Sequence, residues 1–354
     1  MREIEVGMVK IPEQERENDA LLKTKLSELI RLSGGLDFIN PKDSVLIKVT
    51  MNSSRPYPAT VDPMVVSHLL DLIVPKNPSS IYVADKSAFF RNTKKNFDKT
   101  GLAETVKKAS LFHVTTRIKL LDFDDFVYRD RYMPDDIKEH WEINPGRHFI
   151  RTPKMLFEDD PFLKNMNLAP KVDHIIVLGT VKTHSLSRFT LGMKSYVGFL
   201  DTESRYLLHK LPYKKNLRLK GIGPLDKDHL QRRIPELFTV IPHPKLIILD
   251  GREAMITGGP DSNSPIPPIP TIRKNPYTGV MIAGRDLVAT DAAGVALIKS
   301  HKRAAASIRK IPIWEMPTFI RAEELGLGAT REDKIVLHAD TEDELFTQMA
   351  WFLQ

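Results

Sequence analysis

Residues 44–87 read as strand, helix, strand, and this unit constrains the fold more than any other feature of the chain. SVLIKVTMN (44–52) is rich in β-branched and apolar residues. DPMVVSHLLDLIV (62–74) carries apolar residues at helical spacing, with Asp62 as N-cap and Pro63 at the first helical position. SSIYVADKS (79–87) is a second strand. Two strands joined by a helical crossover lie parallel, and the crossover is right-handed. A parallel sheet must be covered on both faces, so the remaining strands should be continuously apolar rather than alternating.

They are. HIIVLGTVK (174–182) and KLIILDG (245–251) are of the fully buried type, and GVMIAGRD (279–286) is a further strand. DLVATDAAGVALIKS (286–300) reads as an alanine-rich helix capped by Asp286. PTFIRAEELGLG (317–328) reads as a helix stopped at a glycine, and KIVLHAD (334–340) with EDELFTQMAWFLQ (342–354) as a strand and a terminal helix. The expected architecture is α/β, a mostly parallel sheet with flanking helices, arranged as two lobes around a cleft. We divide the chain into an amino-terminal lobe, 1–170, and a carboxy-terminal lobe, 171–354. Periodicity weakens between 120 and 165, where loops or an insertion are expected. The proline- and serine-rich stretch 260–276 reads as a surface loop or lid.

Composition narrows the chemistry. The chain of 354 residues has no cysteine, which excludes disulfides, thiolate zinc sites, cysteine-ligated iron–sulfur clusters and a cysteine nucleophile. No signal-peptide h-region opens it and no apolar run reaches the roughly 20 residues of a membrane span, so a cytoplasmic protein without membrane contact is expected. The net charge is +7, but the basic residues are dispersed among 45 acidic ones and form no nucleic-acid motif. A small anionic molecule is therefore favoured over nucleic acid as partner. No GxGxxG follows a strand and no GxxxxGK[ST], GxSxG or HExxH occurs, which argues against a nicotinamide Rossmann site and a P-loop.

The chemically dense stretch is VKTHSLSRFTLGMKSYVGFLDTESRYLLH, 181–209, directly after a buried strand. In open α/β sheets ligands bind beyond the carboxyl ends of strands. Lys182 and His184, two apart, face the same way in extended chain. Lys194 lies between Gly192 and Gly198, where backbone can approach a ligand closely. His209 follows. A lysine here can bind an anion, form a Schiff base or move a proton, and a histidine can ligate metal or shuttle protons. A solvated basic loop is the plain alternative.

Three further strand ends add candidates. Asp250 begins a turn that continues to Gly258 and Gly259, residues suited to an anion-binding nest or simply to a tight turn. Asp85 ends the 79–87 strand. Lys48 lies inside an apolar run, where an unpaired charge is costly, so either it has an anionic partner or its stem snorkels to solvent. Asp291 could point inward from its helix, although capping or solvation is the simpler role.

The blocks KTHSLSRFTLGMKSYVGF, ILDGREAMITGGP, VMIAGRDLVATDAAGVAL and AEELGLG, in this order after KVTMN and VADKS, resemble the domain of unknown function family numbered 362, over roughly 44–328. The family usually reads T-G-G-x-K-N; here Leu191 and Ser195 replace a glycine and the asparagine. Many relatives carry a cysteine-rich iron–sulfur segment, which this chain lacks. A more distant likeness is to the nickel-pincer lactate racemase, in which a glycine-rich turn holds a lysine that carries the cofactor and a later histidine ligates nickel. Lys194 and His209 occupy the matching places, and that likeness implies two α/β domains with a cleft. The residues themselves name no metal and no cofactor. Together these features lead us to expect an enzyme acting on a small anionic metabolite, isomerase- or oxidoreductase-like, with Lys194, His184 and His209 catalytic. Lys182, Gly192, Gly198, Asp250, Gly258, Gly259, Lys48 and Asp85 would bind the ligand or cofactor. The alternative is a carrier that holds a phosphate-bearing ligand without turning it over.

Overall fold

A computed structural model describes residues 2–141, 148–209, 227–261 and 275–354. Its strands are β1 (Glu3–Lys10), β2 (Ser44–Val49), β3 (Ser80–Asp85), β4 (Arg117–Asp122), β5 (Tyr128–Tyr132), β6 (Phe149–Pro153), β7 (His174–His184), β8 (Arg188–Thr190), β9 (Leu246–Met255), β10 (Tyr277–Gly284) and β11 (Lys334–Ala339). Nine of them form one sheet in the order β11-β1-β10-β9-β7-β2-β3-β4, with β8 paired to the end of β7. The run β9-β7-β2-β3-β4 is parallel throughout. Only β10 and the short β8 run against their neighbours. The fold is thus α/β with a mostly parallel sheet, as the apolar strands predict. Strands β2 and β7 are paired, as are β1 and β10, so hydrogen bonds join the segments 1–170 and 171–354 within that sheet.

Every residue of β2 and β3 is buried, because both faces of the sheet are covered. One face packs Val45, Ile47, Val49, Ile176 and Leu178 against the helices Asp19–Leu32, Pro63–Ile73 and Leu102–Phe112. The other packs Leu46, Val177 and Leu249 with the helices Leu287–Lys299, Pro317–Glu324 and Glu344–Leu353. All thirteen residues of Leu287–Lys299 are buried. Such a helix must be apolar all round, and its alanines and Gly294 let it approach the sheet; a Cβ on Gly294 would lie 2.8 Å from Leu191.

Several boundaries differ from the sequence reading. Strand β7 continues past 182 to His184, because β8 pairs back on Lys182, Thr183 and His184. Strand β9 extends past the Asp-Gly pair to Met255. The segment 120–165 holds the small hairpin sheet β5–β6, whose first strand is half to fully exposed and so lacks an apolar signal. Strands β1 and β4 and the helices Asp19–Leu32 and Leu102–Phe112 carry too many polar residues on their open faces to stand out by run length. Most of the 260–276 stretch, and GIGPLD at 221–226, lie outside the described residues.

Asp286 shows how one side chain ties two elements. Its Oδ1 accepts the N–H groups of Val288 at 3.0 Å and Ala289 at 2.8 Å, capping the buried helix, and that of Ala329 at 3.1 Å. Asp286→Ala is expected to cost roughly 1–2 kcal/mol as a lost N-cap, with more from the stranded Ala329 amide. Urea unfolding with an unchanged midpoint would contradict this.

Candidate functional site

Because β2, β3, β7 and β9 are parallel, their carboxyl ends share one edge of the sheet, and the predicted residues gather there. Lys48 in β2 and Asp85 at the end of β3 face each other with Nζ–Oδ1 at 2.5 Å and almost no exposure. Burial pulls the Lys48 ammonium below its usual value, and Asp85 opposes that pull. Asp85 also accepts the amides of Met51 at 2.6 Å and Lys86 at 2.8 Å, so both of its oxygens are engaged. Gly198 lies directly over the pair. A Cβ there would come within 2.2 Å of Asp85 Oδ1 and 2.5 Å of Lys48 Nζ, so this close approach requires glycine.

Arg205, which the sequence reading did not single out, locks the same region. Its guanidinium donates to the carbonyl oxygens of Ser87, Lys86 (2.9 Å), Gly198 (3.1 Å) and Val197 (3.0 Å). It thereby sews the end of β3 to the turn that follows Lys194. It lies four residues before His209, on the same helix face, and that spacing was its only sequence signal. Asp291, expected to cap or to be solvated, is fully buried and caps a different helix. Its two oxygens accept the amides of Gly192 at 2.7 Å and Met193 at 3.0 Å. Burial raises its carboxyl to about 7, against the lowering effect of those two amides. A Cβ on Gly192 would meet Asp291 Oδ1 and Ile247, both at 2.9 Å. Asp291 thus holds the turn that presents Lys194.

Lys182 is completely buried and donates to Asn52 Oδ1 at 2.7 Å and to the Ala59 carbonyl. Burial lowers it to about 8, moderated by Asp261 and Asp85. Asn52 in turn donates to Asp261 at 2.6 Å, and Asp261 pairs with Arg91 at 2.8 Å. Gly259 docks on β7. Its N–H donates to Thr183 Oγ1 at 3.1 Å, and a Cβ there would overlap the Thr183 carbonyl at 1.8 Å. Gly258 takes a left-handed φ of 72°. These glycines bring Asp261 beside Asn52. A polar cavity of about 470 Å³, lined by Ser54, Arg55, Pro56, Arg91, Lys99 and Asp261, opens beyond it.

Lys194, His184 and His209 behave differently from the groups around them. Each keeps a part open to solvent. Lys194 Nζ makes no hydrogen bond or ion pair among the described residues, whereas the nearby buried cations Lys48, Lys182 and Arg205 all do. Burial of the amine, with Arg205 and Lys182 close by, lowers Lys194 to about 7. His184 is pushed well below its usual value by burial, then by Lys194, His209 and Lys182. His209 falls to about 3 through burial and Lys194. Their ring tautomers are opposite. His184 Nδ1 accepts the amides of Leu186 at 3.0 Å and Ser187 at 3.3 Å, so its proton sits on Nε2. His209 Nδ1 donates to the Arg205 carbonyl at 2.7 Å, which leaves the Nε2 lone pair without a partner among the described residues. The site therefore offers an amine, a ring N–H donor and a ring acceptor.

The family described as domain of unknown function (DUF362) matches residues 45–296, from β2 through most of the helix Leu287–Lys299. The chain belongs to this family. No curated protein matches it. The family match spans Lys48, Asp85, Lys182, His184, Lys194, Arg205, His209 and Asp291.

Not every candidate joins that cluster. Asp250 accepts Arg252 Nη2 at 2.7 Å, Arg252 Nε at 3.0 Å and Tyr57 OH at 2.8 Å, a buried knot that also reaches Asp62. Among the described residues no three His, Asp or Glu side chains converge on a metal position. No helix among the described residues is long and apolar enough to cross a membrane.

The Lys48–Asp85 pair generates a stability test. Asp85→Ala strands a buried ammonium and two amides, and is expected to cost about 3–5 kcal/mol. The double replacement Lys48→Met with Asp85→Leu should cost less than Asp85→Ala, because it removes the orphaned charge along with its partner. Equal losses in chemical denaturation would contradict the pairing.

Proposed function

We propose that this protein is an enzyme that acts on a small anionic metabolite by acid–base chemistry at Lys194, His184 and His209. The observation that carries the reading is Lys194: an amine unpartnered among the described residues, beside two histidines of opposite tautomer. An amine lowered to about 7 can accept and return a proton near neutrality, where an ordinary lysine is locked as its ammonium. The His184 Nε2–H can steady oxygen charge that develops on the substrate, as a neutral imidazole donor does. The His209 Nε2 lone pair can accept a hydrogen bond from the substrate or from the Lys194 amine. Lys182, completely buried on Asn52 and Ala59, adds positive charge behind the site without reaching into it. Asp85, Lys48, Arg205 and Asp291 are positioning residues on this reading.

A carrier that holds a phosphate-bearing ligand is a second reading, favoured by the cavity between Arg55, Arg91 and Lys99. The two separate in one experiment. Small 2-hydroxy acids, 2-oxo acids and sugar phosphates are screened by thermal shift, and hits are followed for turnover. On the enzyme reading, Lys194→Met removes the response to the hit while its own melting temperature stays within a few degrees, since it deletes an unpartnered amine. A Lys194→Met variant that binds the hit as the parent does would overturn it. Binding that depends on Arg91 and Lys99, with no turnover, would favour the carrier.

A further inference from the structure

We propose that Lys194 is a nucleophile that condenses with the carbonyl carbon of a small 2-oxo acid to form an imine. This rests on the acid–base reading above and names its substrate class. An imine-forming lysine must be unprotonated, accessible and free of partners. Lys194 has no hydrogen-bond acceptor or counter-ion among the described residues, and part of it remains open to solvent. Its turn is fixed from behind by Asp291, which holds the amides of Gly192 and Met193, so the amine is presented from a supported backbone. The groups around it are cationic or neutral. Lys182 and Arg205 disfavour a third positive charge, and no carboxylate among the described residues pairs with the amine.

The two rings complete the chemistry. The Lys194 nitrogen attacks, the N–C bond forms, and the carbonyl π pair moves onto oxygen. That oxygen is held by the His184 Nε2–H, a donor because Nδ1 is filled by the Leu186 and Ser187 amides. Both amine protons then leave on the same oxygen. They pass from nitrogen to oxygen within the tetrahedral adduct, while the His209 Nε2 lone pair accepts a hydrogen bond from the attacking amine, its Nδ1–H being spent on the Arg205 carbonyl. The C–O bond breaks, the nitrogen lone pair forms the C=N bond, and water departs. Amine and carbonyl become imine and water, both histidines end neutral, and no oxidant or reductant is consumed. The positive charge of the nearby Lys182 and Arg205 favours a substrate that carries a carboxylate. A 2-oxo acid unites that carboxylate with the electrophilic carbon.

The test incubates the full chain with glyoxylate or pyruvate and sodium cyanoborohydride, then maps the adduct by peptide mass spectrometry. Lys194 is expected to label at least about tenfold faster than surface lysines such as Lys95 and Lys302 in the same sample, because at neutral pH it holds far more free base. Labelling should rise with pH through about 7 and level off above it. Lys194→Arg should lose the adduct, and the internal comparison within the parent protein holds even if that variant folds poorly. Labelling of Lys194 no faster than Lys95 overturns the imine. If these acids give a Lys194-dependent thermal shift without an adduct, the imine fails and the acid–base reading stands. If the acids give neither and no other anion in the thermal-shift screen responds through Lys194, both fail.

Discussion

Lys48 and Asp85, adjacent across β2 and β3 and sealed from water, are the contact on which the rest of the site depends. A buried ammonium is costly without a partner, and a buried carboxylate without donors on its oxygens. Asp85 meets both demands at once, by holding Lys48 and the amides of Met51 and Lys86. The chain after each strand is therefore anchored at its first turn. Gly198 can then lie on the pair, and Arg205 can bind the carbonyls on either side. The loop that bears Lys194 is pinned at one end by this assembly and at the other by Asp291.

The anchoring explains why cations collect without collapsing the fold. Lys48 has a carboxylate, Lys182 a polar relay through Asn52 to Asp261, and Arg205 four carbonyl oxygens. Lys194 alone among these four is left without a partner among the described residues. Its lowered value means that the unfolded chain binds the extra proton more readily. The destabilisation is fullest below about pH 7 and fades as pH rises toward the unfolded value near 10.5. A fold that keeps such a group tolerates a local loss of stability, which is the usual cost of a reactive amine.

Much of this was legible in the sequence. Fully apolar strands with a helical crossover forced a parallel sheet, and a parallel sheet placed Lys48, Asp85, Lys182 and His184 at one edge. The cost of leaving Lys48 unpaired pointed to a partner that proved to be Asp85. What stayed hidden depends on long-range geometry. Asp291 lies 99 residues from Gly192, whose amide it holds, and looked like an ordinary helical aspartate. An acidic residue in so apolar a helix was nonetheless a signal that a buried partner existed. Arg205 makes its contacts through backbone carbonyls, which leave no trace in composition. Asp250 looked like a site residue because it ends an apolar run, yet Arg252, two positions on, and Tyr57 occupy its oxygens. The tautomers of His184 and His209 follow from backbone groups that only the folded chain aligns.

The central claim is that Lys194 is held as a largely uncharged amine at neutral pH. The most direct measurement is a pH titration of its side chain by NMR, with ¹⁵N-lysine protein and the Nζ signal assigned through Lys194→Arg. The account predicts a midpoint near 7, far from the remaining exposed lysines. A midpoint near 10, among those of the surface lysines, would contradict it.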